Sequence, residues 1–130
     1  RRAAQRGHII APAAGNGGPA AAPTFPAAFD GVLAVTAIDE TGRPYIRANR
    51  GAYIDFAAHG VDVSVGVGDT FVQVSGTSFA APVIAAEAAA QLHAPSPTDS
   101  ARVLTRLRER AEDLGAPGRD HIFCWGALRD

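Results

Sequence analysis

From Ser78 to Leu92 the chain is almost entirely small and apolar, with Glu87 and Gln91 its only polar side chains after the opening serine. A helix formed from such a run has no polar side to turn to water, so it is expected to be buried in the core. Pro82, four residues after Ser78, has no N–H for the Ser78 carbonyl, which predicts an irregular first turn. The approach to this helix is Thr70-Phe71-Val72-Gln73-Val74, which reads as a short strand, followed by Ser75-Gly76-Thr77.

The rest of the chain supplies further strands and one more helix. His8 to Ala14 is a short apolar run between glycines, the pattern of a strand buried on both faces of a parallel sheet. Gly31 to Ile38 reads as a second such strand and Tyr53 to Ala57 as a short third. Val61, Val63 and Val65 alternate with Asp62 and Ser64, a half-buried strand that a turn at Gly66–Gly68 joins to 70–74 as a hairpin. Thr98 is the expected N-cap of a last helix in which Val103, Leu107, Ala111 and Leu114 recur at helical spacing until Gly115 stops it. Arg1 to Gly7 resembles the tail of a helix closed by glycine. The expectation is an α/β fold: a mostly parallel sheet flanked by helices, with a peripheral β-hairpin near 61–74.

At 130 residues, 47% of them hydrophobic, the chain is one domain's worth and can bury a core. A net charge of −1 argues against disorder and against electrostatic binding to nucleic acid or a membrane surface. The single Cys124 excludes an intrachain disulfide and a multi-cysteine zinc site. No apolar run approaches the roughly 20 residues of a membrane span, and no signal peptide opens the chain.

Two segments carry chemistry. In Val74-Ser75-Gly76-Thr77-Ser78-Phe79-Ala80-Ala81-Pro82 a strand arrives, a glycine permits a sharp turn, and a hydroxyl pair sits where a helix begins. A serine there stands clear of the strand, beside unpaired backbone N–H groups of the first turn. Those features suit a nucleophile that builds a tetrahedral oxyanion next to fixed donors. The plainer reading is that Thr77 or Ser78 caps the helix. The second segment is Ala13-Ala14-Gly15-Asn16-Gly17-Gly18-Pro19. Its glycines imitate a dinucleotide fingerprint, but Pro19, Pro23 and Pro26 stand where that fingerprint needs a helix. Asn16 is then either an amide donor to a developing oxyanion or an ordinary turn asparagine.

Together these segments resemble the subtilisin-like serine peptidases, the subtilases of peptidase family S8. The family's serine motif, Gly-Thr-Ser-(Met or Phe)-Ala-x-Pro, matches residues 76–82, and its Ala-Ala-Gly-Asn-x-Gly motif matches residues 13–18. Likeness extends through Thr24-Phe25-Pro26-Ala27, Val32 to Val35, Arg47 to Gly51, and Ile54 to Gly60, where His59 replaces the usual proline. It ends at Phe123-Cys124-Trp125-Gly126, with Cys124 in place of a glycine.

The resemblance implies a partial three-layer subtilisin-like fold and a serine endopeptidase acting on polypeptides. It assigns Ser78 as nucleophile, Asn16 and the Ser78 N–H as oxyanion donors, and Thr77 as their support. Ala13, Ala14 and Gly15 would line the pocket for the residue before the scissile bond. The family's Asp and His precede the serine in the chain, yet no Asp occurs before Asp30. Asp55, His59 and Ser78 fall in the right order but on a segment that is structural in the family. His8 reads as a strand-end residue, and His93 and His121 as surface residues. Residues 1–130 are therefore expected to be the C-terminal part of one catalytic domain, with the N-terminal half, or a chain supplying it, as partner. By itself the chain is expected to be catalytically incomplete. A non-catalytic subtilase-like binding or scaffold module is the alternative. The resemblance also implies a secreted or periplasmic protein. Family members often bind calcium, although no acidic cluster here has the spacing of a calcium cage.

Overall fold

The computed structural model describes residues 2–129. Its elements run α1 (Arg2–Gln5), β1 (Ala34–Ile38), β2 (Ile54–His59), β3 (Val63–Val67), β4 (Thr70–Val74), α2 (Thr77–Ala89) and α3 (Pro97–Arg110). Helix α1 is closed by Gly7 at φ +85°, as the opening residues predict; Arg1 lies outside the described residues.

Strands β1 and β2 pair in parallel, and their register skips one residue between Ala34↔Ile54 and Val35↔Phe56. Asp55 is the residue skipped, and its Oδ2 accepts the Ala34 N–H at 3.0 Å, restoring the acceptor that the bulge removes. The sheet continues past both named strands. Residues 10–14 run beside β1, joined by Leu33 N–H to Ile10 O, Val35 N–H to Pro12 O and Ala14 N–H to Val35 O. On the other edge Ala57 bridges Ala127 in parallel.

The expected strand at 8–14 is thus extended but pairs as a ladder only at Ala13, and residues 9–13 are half-buried rather than buried on both faces. Pro12 brings no N–H, and among the described residues no strand lies along the far edge.

Alternation along the central strands divides the core between two faces. Val35, Ala37, Phe56 and Ala58 pack with Ala80, Ile84 and Ala88 of α2 and with Val103 and Leu107 of α3. On the opposite face Ile38 and Ala57 meet Phe123 and Ala127, with Leu114 and Ile122 beside them.

Helix α2 departs from the sequence expectation. Only Thr77, Ala80, Ile84 and Ala88 are buried, while Pro82, Ala85, Ala86 and Ala89 are exposed. The sheet and α3 cover one side of an all-round apolar helix, and no described residue covers the other. Pro82 lies inside α2, and at the helix start Phe79 N–H reaches back three residues to Gly76 O at 3.0 Å.

Helix α3 begins two residues earlier than the expected Thr98 cap implies. Ser96 is the N-cap, its Oγ accepting the Asp99 N–H at 3.1 Å, and Pro97 fills the first helical position. The helix stops at Arg110 rather than running to Gly115, because Ala111 turns extended and Glu112 exchanges both backbone hydrogen bonds with Ala127. The hairpin pairs Val63↔Val74 through Val67↔Thr70, so its turn falls at Gly68–Asp69 rather than at 66–68.

Candidate active site

Residues 13–18 and 76–79, sixty positions apart in sequence, meet at the end of the sheet. Asn16 Oδ1 accepts two hydrogen bonds from Thr77, one from its N–H at 3.0 Å and one from its hydroxyl at 3.1 Å. Thr77 Oγ1 in turn accepts the Gly15 N–H at 3.2 Å. Thr77 is fully buried, which shields its side of these bonds from water. The N-cap of α2 is Gly76, which has no side chain to give, so neither hydroxyl acts as the helix cap of the plainer reading. The threonine instead ties the two segments together.

This arrangement leaves two donors open. Of the first amides of α2, that of Thr77 goes to Asn16 and that of Phe79 to the Gly76 carbonyl. Among the described residues the Ser78 N–H has no acceptor, and neither does Asn16 Nδ2. Asn16 and Ser78 are both exposed. Asn16 Nδ2 lies 3.3 Å from where a Cβ on Gly76 would stand, so any side chain at 76 would crowd the amide. Gly15 is constrained more tightly. Its φ is +111°, and a Cβ there would come within 2.7 Å of Asn49 Nδ2 and 3.0 Å of Thr24 Oγ1.

A second ring of polar groups, invisible to sequence reasoning, holds the 13–18 loop from behind. Ala14 O accepts hydroxyl hydrogen bonds from Thr24 and Tyr53, each at 2.7 Å. Asn49, fully buried, accepts the Gly17 N–H through Oδ1 at 2.8 Å, while its Nδ2 donates to Ala22 O at 3.2 Å. The Asn49 backbone N–H donates to Gly15 O at 3.0 Å, and Gly18 N–H donates to Arg47 O at 2.8 Å. The sequence signals are the likeness of Arg47-Ala48-Asn49-Arg50-Gly51 to a family segment and an asparagine two residues before a glycine, a turn pattern more often read as exposed.

Among the described residues no basic side chain or carboxylate is hydrogen-bonded to Ser78. Asp55 and His59 lie four positions apart on β2, roughly 13 Å along an extended strand. Each is engaged elsewhere: His59 Nε2 with Val61 O at 2.8 Å, and Asp55 with Ala34 N–H and, at 3.6 Å, the Arg119 guanidinium. Burial pushes the Asp55 carboxyl above its ordinary range, against the pull of the Ala34 amide, Arg119 and Arg108. His8, His93 and His121 are exposed, and among the described residues none is hydrogen-bonded to Ser78. Burial pushes the Cys124 thiol up to about 12, which keeps it protonated and a poor nucleophile.

A cavity of about 640 Å³ lies elsewhere, between α1, residues 8–10 and α3, and Asp55 and Arg108 line it. Asn16 and Ser78 are exposed and line neither this cavity nor the smaller one beside residues 27–32. Among the described residues no three of His, Cys, Asp and Glu gather closely enough to hold a metal ion. None of the described helices is long and apolar enough to cross a membrane.

The chain is 36% identical over 118 residues to a thermostable alkaline protease of Halalkalibacterium halodurans, covering 89% of this chain and 32% of that protein. It is 34% identical over 115 residues to a thermophilic serine proteinase of Bacillus sp. (strain AK1), covering 87% of this chain and 28% of that protein. The chain therefore spans about a third of the length of these curated relatives. A solved mutant of the protease domain of PatA superposes with a TM-score of 0.73 at 30% identity, over 93% of this chain and 45% of that one. The fold is accordingly subtilisin-like α/β. The family model described as "Subtilase family" matches residues 1–126. With both signature segments joined through Thr77 and the match covering nearly all of its length, the chain belongs to the subtilase family.

Proposed function

We propose that residues 1–130 are the C-terminal part of a single subtilase catalytic domain and carry the nucleophile and oxyanion half of a serine endopeptidase site. The observation that carries this reading is the Asn16–Thr77 pair of hydrogen bonds. It brings the two signature segments together, while Asn16 Nδ2 and the Ser78 N–H have no acceptor among the described residues.

In this reading Ser78 Oγ attacks the carbonyl carbon of a peptide bond and passes its proton to a histidine outside this chain, which a carboxylate orients. The carbonyl oxygen becomes an oxyanion that accepts hydrogen bonds from Asn16 Nδ2 and Ser78 N–H, donors fixed before the reaction begins. The C–N bond breaks, the histidine returns the proton to the leaving amine, and water then releases the acyl group from Ser78. Ala13, Ala14 and Gly15 form one wall for the residue before the scissile bond. The other wall, the aspartate and the histidine come from the missing N-terminal half. The bare side of α2 supports such a partner, since Ala85, Ala86 and Ala89 are exposed on a helix without a polar face. The names of the relatives support a polypeptide substrate, and the family resemblance supports export from the cytoplasm. Calcium binding by the complete protein rests on the family resemblance alone.

A fluorophosphonate probe tests the reading. The complete protein should be labelled at Ser78 and should hydrolyse peptides, while the isolated chain should do neither at a measurable rate. Brisk labelling of Ser78 in the isolated chain would contradict the missing-base account. A complete protein inert to both probe and peptide would leave the binding-module alternative.

A further inference from the structure

The loop that carries Asn16 could be ordered by its own turn geometry or held from outside, and the hydrogen bonds decide for the second. Asn49 grips the residues on either side of Asn16: its N–H donates to Gly15 O at 3.0 Å and its Oδ1 accepts the Gly17 N–H at 2.8 Å. Its Nδ2 is anchored to Ala22 O at 3.2 Å, so the side-chain amide is satisfied at both ends and has a single orientation. It is buried without exposed surface, and Gly15 leaves just enough room for it, since a Cβ on Gly15 would meet Asn49 Nδ2 at 2.7 Å. A buried amide lacking either partner would carry an unpaired polar group, so the side chain has no other low-energy position.

We infer that Asn49 is a positioning residue that fixes the direction of the Asn16 side-chain amide by clamping the peptides on both sides of it. Thr77 holds Asn16 from the front through Oδ1, and Asn49 holds its backbone from behind. Both are needed because an oxyanion donor is effective only when it already stands where charge will develop. Asn49 itself does not reach the reacting atoms. The inference rests on the peptidase reading above and names a residue that neither signature segment contains.

The test is a double-mutant cycle in the complete protein, with Ser78→Ala as the reference for enzyme-dependent turnover. Asn49→Ala should lower kcat by about 10- to 100-fold while KM stays within about twofold, as expected for a misplaced transition-state contact. In an Asn16→Ala background the same substitution should lower kcat by less than about threefold, because the donor it positions is already gone. Asn49→Asp keeps the acceptor for Gly17 and should recover part of the loss. A full 10- to 100-fold effect persisting in the Asn16→Ala background, or a fall in thermal midpoint with kcat unchanged, would overturn the inference. If Asn49→Ala does not fold, the cycle is run with Asn49→Asp, and additivity with Asn16→Ala overturns it equally. Amide exchange of the peptide spanning 13–18 is measured alongside. If Ser78→Ala retains wild-type turnover, the peptidase reading fails and exchange alone decides: loss of protection in the Asn49 variant supports the clamp, and unchanged protection overturns it.

Discussion

Two buried residues, Thr77 and Asn49, hold Asn16 from opposite sides, so a polar loop has little freedom despite its glycines. The consequence for turnover is direct. Asn16→Ala in the complete protein should lower kcat by about 100- to 1,000-fold with little change in KM, a magnitude measured for the equivalent change in a subtilisin rather than derived from this chain. Steady-state kinetics on a peptide substrate checks it. Asn16, Thr77 and Ser78 are legible through the resemblance of their segments to the subtilase motifs, since local chemistry alone reads them as a turn asparagine and a helix cap. Asn49 stays hidden, because nothing in Arg47-Ala48-Asn49-Arg50-Gly51 announces that the asparagine is buried. Burial there is set by segments 15–18 and 22, far away in the chain.

At the scale of elements, hydrophobic period identified what exists and backbone chemistry decided where it ends. Helix α3 has the predicted buried stripe at Val103 and Leu107, yet the Ser96–Pro97 pair moved its start and the Glu112–Ala127 bridge moved its end. Both shifts come from hydrogen bonds that local pattern does not reveal. Asp99, in the first turn, accepts from Arg102 and from the His93 and Ala94 amides, and the Arg102 bond foremost lowers its carboxyl to about 2. A depressed carboxylate stabilises the fold above its ordinary titration range, and that support is lost as pH falls toward the folded-state value. Asp99→Asn should therefore flatten the loss of urea stability between about pH 5 and pH 2. Asp55, raised by burial, works in the opposite sense and favours the fold when protonated. In α2, Ile84 is fully buried against the sheet, and Ile84→Ala should cost about 2–5 kcal/mol in denaturant unfolding.

For the whole molecule, the informative discrepancy is the helix that opened the sequence reading. An all-round apolar run predicts an enclosed helix, whereas α2 buries one stripe and leaves Ala85, Ala86 and Ala89 exposed. Period and composition register the demand for burial but not which chain segment meets it. If a further layer covers this face in the complete protein, Ala86→Arg should be nearly neutral for the isolated chain, within about 0.5 kcal/mol. In the complete protein it should destabilise by more than about 2 kcal/mol, since a charge would then be buried without a partner. Thermal or urea unfolding of both forms distinguishes the cases. The central claim, that Asn16 and Ser78 act on one substrate oxygen, is tested most directly by a structure of the complete protein bound to a peptidyl boronic acid. The account predicts boron bonded to Ser78 Oγ, with one boron-bound oxygen about 2.7–3.1 Å from both Asn16 Nδ2 and the Ser78 backbone nitrogen. A boronate bonded at Ser78 whose oxygens all turn away from Asn16, or one bound to a different residue, would contradict it.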